Sequence, residues 1–140
     1  MKKKVLFLCT GNSIRSQMAE AYLRHFGSRW FESFSAGVSP GGIHPTTISV
    51  MKEDGMDLKA HFSKNVHQVP AKDLDVLITL CGSAKEQCPT IFHDIGMKMH
   101  WPIEDPLHVQ GSQEFILNRF RQTRDIIRKN VLEFVEKNKY

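Results

Sequence analysis

Residues 5–16 read VLFLCTGNSIRS, and this stretch decides the fold. Its first four residues form an unbroken apolar run, the pattern of a strand that is buried on both faces of a parallel sheet. After Ser16, apolar residues recur every three to four positions until Gly27, which favours a helix over residues 16–26 that ends at a glycine. The stretch therefore predicts a strand, a loop that begins at Cys9, and a helix in direct succession.

The alternation of strands and helices continues along the chain. Further strands are predicted over residues 31–36, 75–80 and 97–101, helices over residues 45–54 and from Ser112 onwards, and one or two helical turns over residues 84–88. The apolar residues expected on one face of the last helix are Phe115, Ile116, Phe120, Ile127, Val131, Leu132 and Val135. This order predicts a doubly wound, flavodoxin-like α/β fold with a four-stranded parallel sheet and helices on both faces. Ligands of such sheets bind beyond the carboxyl ends of the strands, which singles out the Cys9 loop, Cys81 and the segment after Trp101.

Composition bounds the class of protein. The chain has 140 residues, 41% hydrophobic and 24% charged, which fits one compact domain over residues 1–140. No apolar run is long enough for a signal sequence or a membrane span, so we expect a soluble cytoplasmic protein, and a monomer. The formal net charge of +4 comes from basic residues scattered among acidic ones, which argues against nucleic-acid binding but still attracts a small anion.

The three cysteines, Cys9, Cys81 and Cys88, are an odd number for a chain without a secretory signal. Cytoplasmic thiols stay reduced, so a structural disulfide framework is not expected. These cysteines are either core residues, the common fate of a cysteine after an apolar run, or they take part in chemistry.

Cys9 and Arg15 enclose a loop that is suited to a tetrahedral oxyanion. N–H groups ahead of the first helical hydrogen bonds point towards a common centre, where the helix N-terminus adds partial positive charge. Arg15 can grip two oxygens of the anion, and the same positive field favours the thiolate form of Cys9. Gly11 and Asn12 tolerate unusual backbone angles, and Ser16 is placed to donate a hydrogen bond to the sulfur. The residues predicted to bind the anion are Thr10, Gly11, Asn12, Ser13, Ile14, Arg15 and Ser16.

Residues 9–20, CTGNSIRSQMAE, resemble the signature of the low-molecular-weight protein tyrosine phosphatase superfamily and, within it, of the thioredoxin-coupled arsenate reductases. The resemblance covers nearly the whole chain. Its other matching segments, in family order, are Ser35-Ala36-Gly37, Thr79-Leu80-Cys81-Gly82, Cys88-Pro89, His100-Trp101 and Glu104-Asp105-Pro106. The loop alone points only to the superfamily, whereas Cys81 and Cys88 point to its reductase branch.

The resemblance implies a complete reaction with arsenate. Cys9 forms a covalent adduct with arsenate while Asp105 protonates the departing oxygen. Cys81 then attacks the Cys9 sulfur and expels arsenite, and Cys88 attacks Cys81, which leaves a Cys81–Cys88 disulfide for thioredoxin to reduce. The resemblance thus makes Cys9, Arg15, Cys81, Cys88 and Asp105 catalytic, with thioredoxin as external reductant and no tightly bound cofactor.

The spacing of Cys81 and Cys88 makes a separate prediction. On a continuous helix their Cα atoms would be about 10 Å apart, at about 1.5 Å per residue, whereas a disulfide requires roughly 4.4 to 6.8 Å. If residues 82–88 are helical when reduced, forming the disulfide must melt or loop out this segment. We predict local unfolding on oxidation, which equal amide-exchange protection of residues 82–88 in the reduced and oxidised proteins would contradict.

Other readings of the site stay open from sequence alone. Asp105 precedes a proline and could be only a turn former, and Glu104 is a less favoured acid. The chain could be a plain low-molecular-weight phosphatase that uses Cys9, Arg15 and Asp105, although residues 107–109 lack the tyrosines usual in that family. It could also be a non-catalytic phosphate-binding module.

Zinc ligation by Cys81, Cys88 and His93 is disfavoured, because the sequence has no Cys-x-x-Cys and no close histidine pair. We therefore expect no metal ligands among the site residues. The remaining histidines considered, His44, His61, His67, His100 and His108, are interpreted as surface or loop residues.

The resemblance also implies a potassium ion near the anion loop, held by Asn12, Glu20 and Ser35. Lys64 stands where that family commonly has an acidic fourth ligand. A lysine ammonium would repel the cation or replace it, so we expect little potassium dependence.

Overall fold

The computed structural model of the protein describes residues 1–80, Phe92 and residues 94–140. The strands are β1 (Lys3–Cys9), β2 (Phe31–Gly37), β3 (Val76–Thr79) and β4 (Met97–His100), the α-helices are α1 (Arg15–Gly27), α2 (Pro45–Glu53) and α3 (Gln113–Asn138), and short 3-10 helices span Val66–Gln68 and Ala71–Asp73. The predicted strands and helices within the described residues are present, with ends that differ by one or two residues. The helical turns predicted over residues 84–88 lie outside the described residues.

All strand pairings are parallel, and the strand order is β2-β1-β3-β4. β1 is therefore internal, and Leu8 pairs with Ala36 of β2 on one side and with Thr79 of β3 on the other. The chain leaves β1 and β3 towards opposite edges of the sheet, so the carboxyl ends of these strands form the switch point where ligands bind. Cys9, the last residue of β1, lies there. The predicted four-stranded parallel sheet and α/β fold are confirmed.

The two faces of the sheet bury different apolar clusters, because successive side chains of a strand point to opposite faces. Val5 and Phe7 contribute to a cluster that includes residues of all three α-helices. Leu6 and Leu8 contribute to a second cluster on the other face. Its other described members are Ala36, Val66, Val69, Leu74, Leu77, Phe92 and Ile95. Burial on both faces explains why residues 5–8 form an uninterrupted apolar run.

Two of the helices begin at side-chain caps. Ser112 accepts a hydrogen bond from the N–H of Phe115 ahead of α3, and His44 precedes Pro45, the first residue of α2. α1 begins after Ile14 without a side-chain cap from any described residue. Its first N–H groups are therefore left to another partner.

The buried face of α3 differs in part from the prediction. Its buried residues are Phe120, Thr123, Ile127, Val131, Phe134 and Val135. The prediction is wrong for Phe115 and Leu132, which are 51% and 39% exposed. Phe115 lies in the first turn beside Gly111, and Leu132 is rotated by about 100° from Val131 around the helix. No helix in the described part of the chain is long and apolar enough to cross a bilayer.

Candidate active site

Cys9 lies at the carboxyl end of an internal strand and is only 3% exposed. Its Sγ is 2.8 Å from the Oγ of Ser16, in the first turn of α1. Ser16 Oγ also accepts a hydrogen bond from Nδ2 of Asn12 at 2.8 Å, so the hydroxyl hydrogen of Ser16 can point at the sulfur. The predicted contact between Ser16 and Cys9 is confirmed.

The carbonyl groups of residues 9–13 are bonded to the surrounding protein. Those of Cys9, Thr10, Gly11 and Ser13 accept from the backbone N–H groups of Val38, Ser39, Gly41 and His44, and that of Asn12 accepts from Gln17. A carbonyl and the following N–H point in opposite directions in a trans peptide, so the N–H groups of residues 11–14 face the inside of the loop. With the N-terminus of α1, they form a concave set of donors for an oxyanion.

Asn12 holds the loop in a left-handed turn, with a φ of 48°. Its Oδ1 accepts from Gln17 Nε2 at 2.9 Å and from the N–H of Lys64 at 2.7 Å. Its Nδ2 donates to the hydroxyls of Ser16 and Ser35 at 2.8 and 2.9 Å. The unusual backbone angle expected at Asn12 is confirmed, and contacts from α1, β2 and the Lys64 segment hold it.

Arg15 is the first residue of α1 and is 7% exposed. Its Nη1 donates to the carbonyls of Leu80 and Ile103 at 3.2 and 2.9 Å. Its Nη2 donates to Oδ2 of Asp105 at 3.2 Å. These three contacts fix the guanidinium between the end of β3 and the loop that follows β4.

The structure distinguishes between Asp105 and Glu104, the two carboxylates that are candidates for the general acid. Asp105 bonds Arg15, and its Oδ1 accepts from the N–H of Leu107 at 2.9 Å, so Asp105 also forms the turn that the alternative reading expects. The side chain of Glu104 is 81% exposed and lies 3.2 Å from Arg119 on α3. Asp105 is therefore the carboxylate placed beside Cys9.

A cavity of about 240 Å³ lies over Cys9. It is lined by Cys9, Thr10, Gly11, Ser13, Ile14 and Arg15 from the loop, and by Asp105, Leu107 and His108. The side chains of Asn12 and Ser16, residues also predicted to bind the anion, are buried and do not line the cavity, so their part in binding stays a prediction. The cavity brings together the predicted nucleophile, arginine and acid.

A buried carboxylate, Glu20 of α1, lies beneath the loop among three basic side chains. Lys64 Nζ is 3.4 Å from Glu20 Oε1, while Arg24 Nη2 and His61 Nδ1 are 3.0 and 3.4 Å from Oε2. Ser35 Oγ donates a short hydrogen bond to Oε1. The carboxylate is thus surrounded by donors on both oxygens.

The potassium site implied by the resemblance does not fit these residues. Lys64 Nζ donates to the carbonyl of Phe62 at 2.8 Å and to Ser35 Oγ at 3.5 Å. Asn12 presents the donor Nδ2 to Ser35, while its carbonyl oxygen is bonded by Gln17 and Lys64. A cation needs oxygen acceptors, and here an ammonium and an amide nitrogen face them instead. Little potassium dependence stays a prediction.

His61 lies in a loop, as predicted, but its ring is buried there. Its side chain is 6% exposed, and its Nδ1 lies 3.0 Å from Gln17 Oε1. Burial lowers the pKa of His61 from 6.5, against the opposing effect of the Glu20 carboxylate. Arg24 Nη1 lies 3.4 Å from Nε2, which assigns the hydrogen to Nδ1 and makes it the donor to Gln17.

The sequence did not indicate the segment of residues 38–44 whose backbone N–H groups donate to the loop carbonyls, because backbone donors leave no pattern in the residue types. Ser63 belongs to the same support and donates to the carbonyl of Gly11 at 3.0 Å. Gly37 was the available signal. A Cβ there would lie 2.6 Å from the carbonyl oxygen of Thr10 and 2.8 Å from the nitrogen of Asn12, so a larger residue cannot let the loop approach β2.

Cys81, Cys88 and His93 lie outside the described residues. The predicted disulfide relay, the predicted local unfolding and the zinc alternative all fall on that segment. Across the described residues, no group of three histidine, cysteine, aspartate or glutamate side chains could hold a metal ion.

A buried cysteine and an arginine line one cavity at the switch point of a parallel α/β sheet, an arrangement suited to an enzyme that binds an oxyanion beside a thiol. The chain belongs to the low molecular weight phosphotyrosine protein phosphatase family, whose model matches residues 4–139. The superfamily expected from the sequence is confirmed.

Similar proteins within this family include arsenate reductases. The arsenate reductase of Halalkalibacterium halodurans is 37% identical over 139 residues, which cover 99% of each chain. A solved structure of an arsenate reductase in the phosphate binding state has a TM-score of 0.83 and 32% identity, with 96% of this chain and 98% of that chain covered. The tyrosine phosphatase Wzb of Escherichia coli K30, in complex with sulphate, shares the fold with a TM-score of 0.81 at 24% identity, over 98% and 99% of the two chains.

Proposed function

We propose that this protein reduces arsenate to arsenite, with Cys9 as the nucleophile. The observation that carries the proposal is the position of the Cys9 sulfur, which adjoins an amide-lined cavity shared with Arg15 and Asp105. The 37% identity to an arsenate reductase over 99% of both chains supports arsenate as the anion.

Binding uses groups that the fold already holds in place. The inward N–H groups of residues 11–14 and the N-terminus of α1 receive the anion oxygens. Arg15 donates through Nη1 to two backbone carbonyls, which fixes the position of its side chain. Its remaining N–H donors can therefore bind the anion without loss of side-chain freedom. Arsenate therefore binds with its arsenic facing Cys9.

The first chemical step exchanges an oxygen for a sulfur. The Cys9 thiolate attacks arsenic, and the arsenic–oxygen bond opposite breaks. The departing group is an arsenate hydroxyl, and Asp105, in its acid form, gives its proton to that oxygen, which leaves as water. Ser16 stabilises the thiolate before attack, since its hydroxyl lies 2.8 Å from the sulfur.

The second step moves the electrons. The Cys81 thiolate attacks the Cys9 sulfur, the sulfur–arsenic bond breaks, and its electron pair stays on arsenic, which is reduced from As(V) to As(III) and leaves as arsenite. Cys88 then displaces Cys9 from Cys81, and thioredoxin reduces the Cys81–Cys88 disulfide by exchange. The relay and thioredoxin as donor rest on the resemblance, a cytoplasmic monomer rests on the sequence composition, and all of these belong to the proposal.

A single-turnover assay tests the proposal. Reduced protein mixed with arsenate, without thioredoxin, should release arsenite in a burst stoichiometric with enzyme. Cys9→Ser should abolish the burst, whereas Cys88→Ser should keep the burst and lose multiple turnover with thioredoxin. An undiminished burst from Cys9→Ser would contradict Cys9 as the nucleophile, whereas the absence of any burst from the wild type would favour a non-catalytic binding module.

Phosphate-ester hydrolysis is the alternative activity, because Cys9, Arg15 and Asp105 would serve it equally well. Hydrolysis needs no second thiol. A phosphatase would therefore keep its full rate after Cys88→Ser and would give no arsenite burst, so the same two variants separate the two functions.

A further inference from the structure

Lys64 is a buried lysine directly beneath the anion loop. It is 8% exposed, and its ammonium has three oxygen partners: Glu20 Oε1 at 3.4 Å, Ser35 Oγ at 3.5 Å and the carbonyl of Phe62 at 2.8 Å. The ring of Phe62 covers the same ammonium, with its centroid 4.8 Å away. A charge this buried is retained only where its partners compensate the lost hydration.

A continuous set of hydrogen bonds joins this ammonium to the sulfur. Ser35 donates its hydroxyl hydrogen to Glu20 and accepts from both Lys64 Nζ and Asn12 Nδ2. Asn12 Nδ2 also donates to Ser16, whose hydroxyl contacts Cys9. The backbone N–H of Lys64 adds a second tie to the loop, through Asn12 Oδ1. Lys64 therefore reaches the left-handed residue of the loop through two separate routes.

We propose that Lys64 is a tethered cation that positions the anion loop, so that this chain needs no free monovalent cation to hold Glu20, Ser35 and Asn12 in place. Without an ammonium, Glu20 Oε1 would keep the Ser35 hydroxyl as its one partner among the described residues, and the buried carboxylate would lack one of its compensating charges. Lys64 is a positioning residue, because it acts on the sulfur through Ser35, Asn12 and Ser16.

The consequence for the binding site is specific. The Asn12 side chain accepts from the backbone N–H of Lys64 and donates to Ser35, which the Lys64 ammonium also contacts, and Asn12 lies in the loop whose N–H groups receive the anion. Loss of the ammonium should loosen anion binding even in a folded protein. The proposal deepens the proposed function at the same site, so it is tested with inorganic phosphate, whose binding requires no reduction.

The experiment measures the dissociation constant of inorganic phosphate by calorimetry, and the thermal midpoint, in potassium chloride and in choline chloride at equal ionic strength. Wild type should give the same values in both salts. Lys64→Met should bind phosphate about 10- to 100-fold more weakly in both salts, the loss typical when a residue that supports a site is removed. Lys64→Asp should be equally weak in choline but recover affinity and thermal midpoint in potassium, because the carboxylate supplies cation ligands.

Lys64→Arg is the matched control, since it keeps the buried charge, and its phosphate affinity should stay well above that of Lys64→Met. If Lys64→Met does not fold, the wild-type comparison and Lys64→Arg still decide the question. Tighter phosphate binding by wild type in potassium, or unchanged binding by Lys64→Met, would overturn the proposal. Salt-independent phosphate binding by a wild type that yields no arsenite burst would instead reject the proposed function and leave the role of Lys64 standing.

Discussion

Arg15 Nη2 donates to Oδ2 of Asp105 at 3.2 Å, across 90 positions of sequence. The side chain of Arg15 is 8% exposed and that of Asp105 is 36% exposed. The group proposed to grip the anion is thus paired with the group proposed to protonate it. An incoming oxyanion shares this nitrogen with the Asp105 carboxylate, and repulsion between the two negative groups is relieved once Asp105 carries a proton.

Asp105→Asn should separate binding from chemistry. We expect the turnover rate to fall by about 10²- to 10⁴-fold, the contribution of a positioned acid, while phosphate affinity is unchanged or higher because a competing charge is gone. Rates of arsenite release and calorimetry with phosphate measure the two effects. Glu104→Gln is the control and should leave both near wild type, since Glu104 pairs with Arg119 at the surface.

Ser16→Ala should destabilise the thiolate form of Cys9. The hydroxyl contacts the sulfur at 2.8 Å and a hydrogen bond to a charged group is among the stronger ones. In a background with Cys81 and Cys88 replaced by serine, we expect alkylation of Cys9 below neutral pH to slow by about 10-fold or more. Ser49→Ala removes an exposed hydroxyl on α2 and should change nothing. Equal alkylation rates in both variants would contradict the role of Ser16.

Gly37→Ala should displace the loop. The new Cβ would meet the carbonyl oxygen of Thr10 at 2.6 Å and the nitrogen of Asn12 at 2.8 Å, and both are backbone atoms that cannot rotate away. We expect kcat/KM to fall by about 10- to 100-fold, the scale of a misplacement approaching 1 Å. Gly41→Ala, where a Cβ meets nothing within 4 Å, is the matched control. A Gly37→Ala enzyme as active as Gly41→Ala would show that the loop can shift freely.

His61 should make the fold sensitive to mild acid. Burial lowers its pKa below 6.5, so the unfolded chain binds a proton more readily than the folded chain does. The stabilising effect is complete above pH 6.5 and is lost as the pH falls through the pKa of the folded state. Charged neighbours Glu20, Arg24, Lys64 and Asp57 face the ring and modulate that pKa without reversing its direction.

The test compares thermal midpoints between about pH 8 and pH 5. Wild type should lose more stability over this range than His61→Gln, which cannot titrate but can still hydrogen-bond Gln17. His67→Gln changes an exposed ring and should follow wild type. Parallel curves for wild type and His61→Gln would show that the buried ring does not carry the acid sensitivity.

Local patterns predicted much of the fold because the signals lie within each element. The apolar run before Cys9 and the helical spacing after Ser16 gave β1, the loop and α1 with small errors at the ends. The face of α3 was harder. Helical periodicity assigns Phe115 to the apolar face of α3, but it does not show where the core packed against that face ends. Phe115 lies past the end of that core and is exposed.

The local sequence predicted the part of the site that one loop carries, whereas Asp105 was added by the resemblance and by the rule that ligands bind at the carboxyl ends of the strands. Cys9 and Arg15 share a loop, whereas the contact of Arg15 with Asp105 depends on the sheet order. The burial of the His61 ring, which the sequence did not indicate, has the same origin. A lone histidine looks like a surface residue until the fold packs it against Gln17 and Glu20 of α1.

Internal placement of β1 has a kinetic consequence for any redox use of Cys9. Because β1 is hydrogen-bonded to β2 on one side and to β3 on the other, its backbone is held in place, and we expect Cys9 to move little during the reaction. In the proposed relay, the second thiol must therefore come to Cys9. A faster variant would therefore need a shorter movement of the second thiol, because Cys9 itself hardly moves.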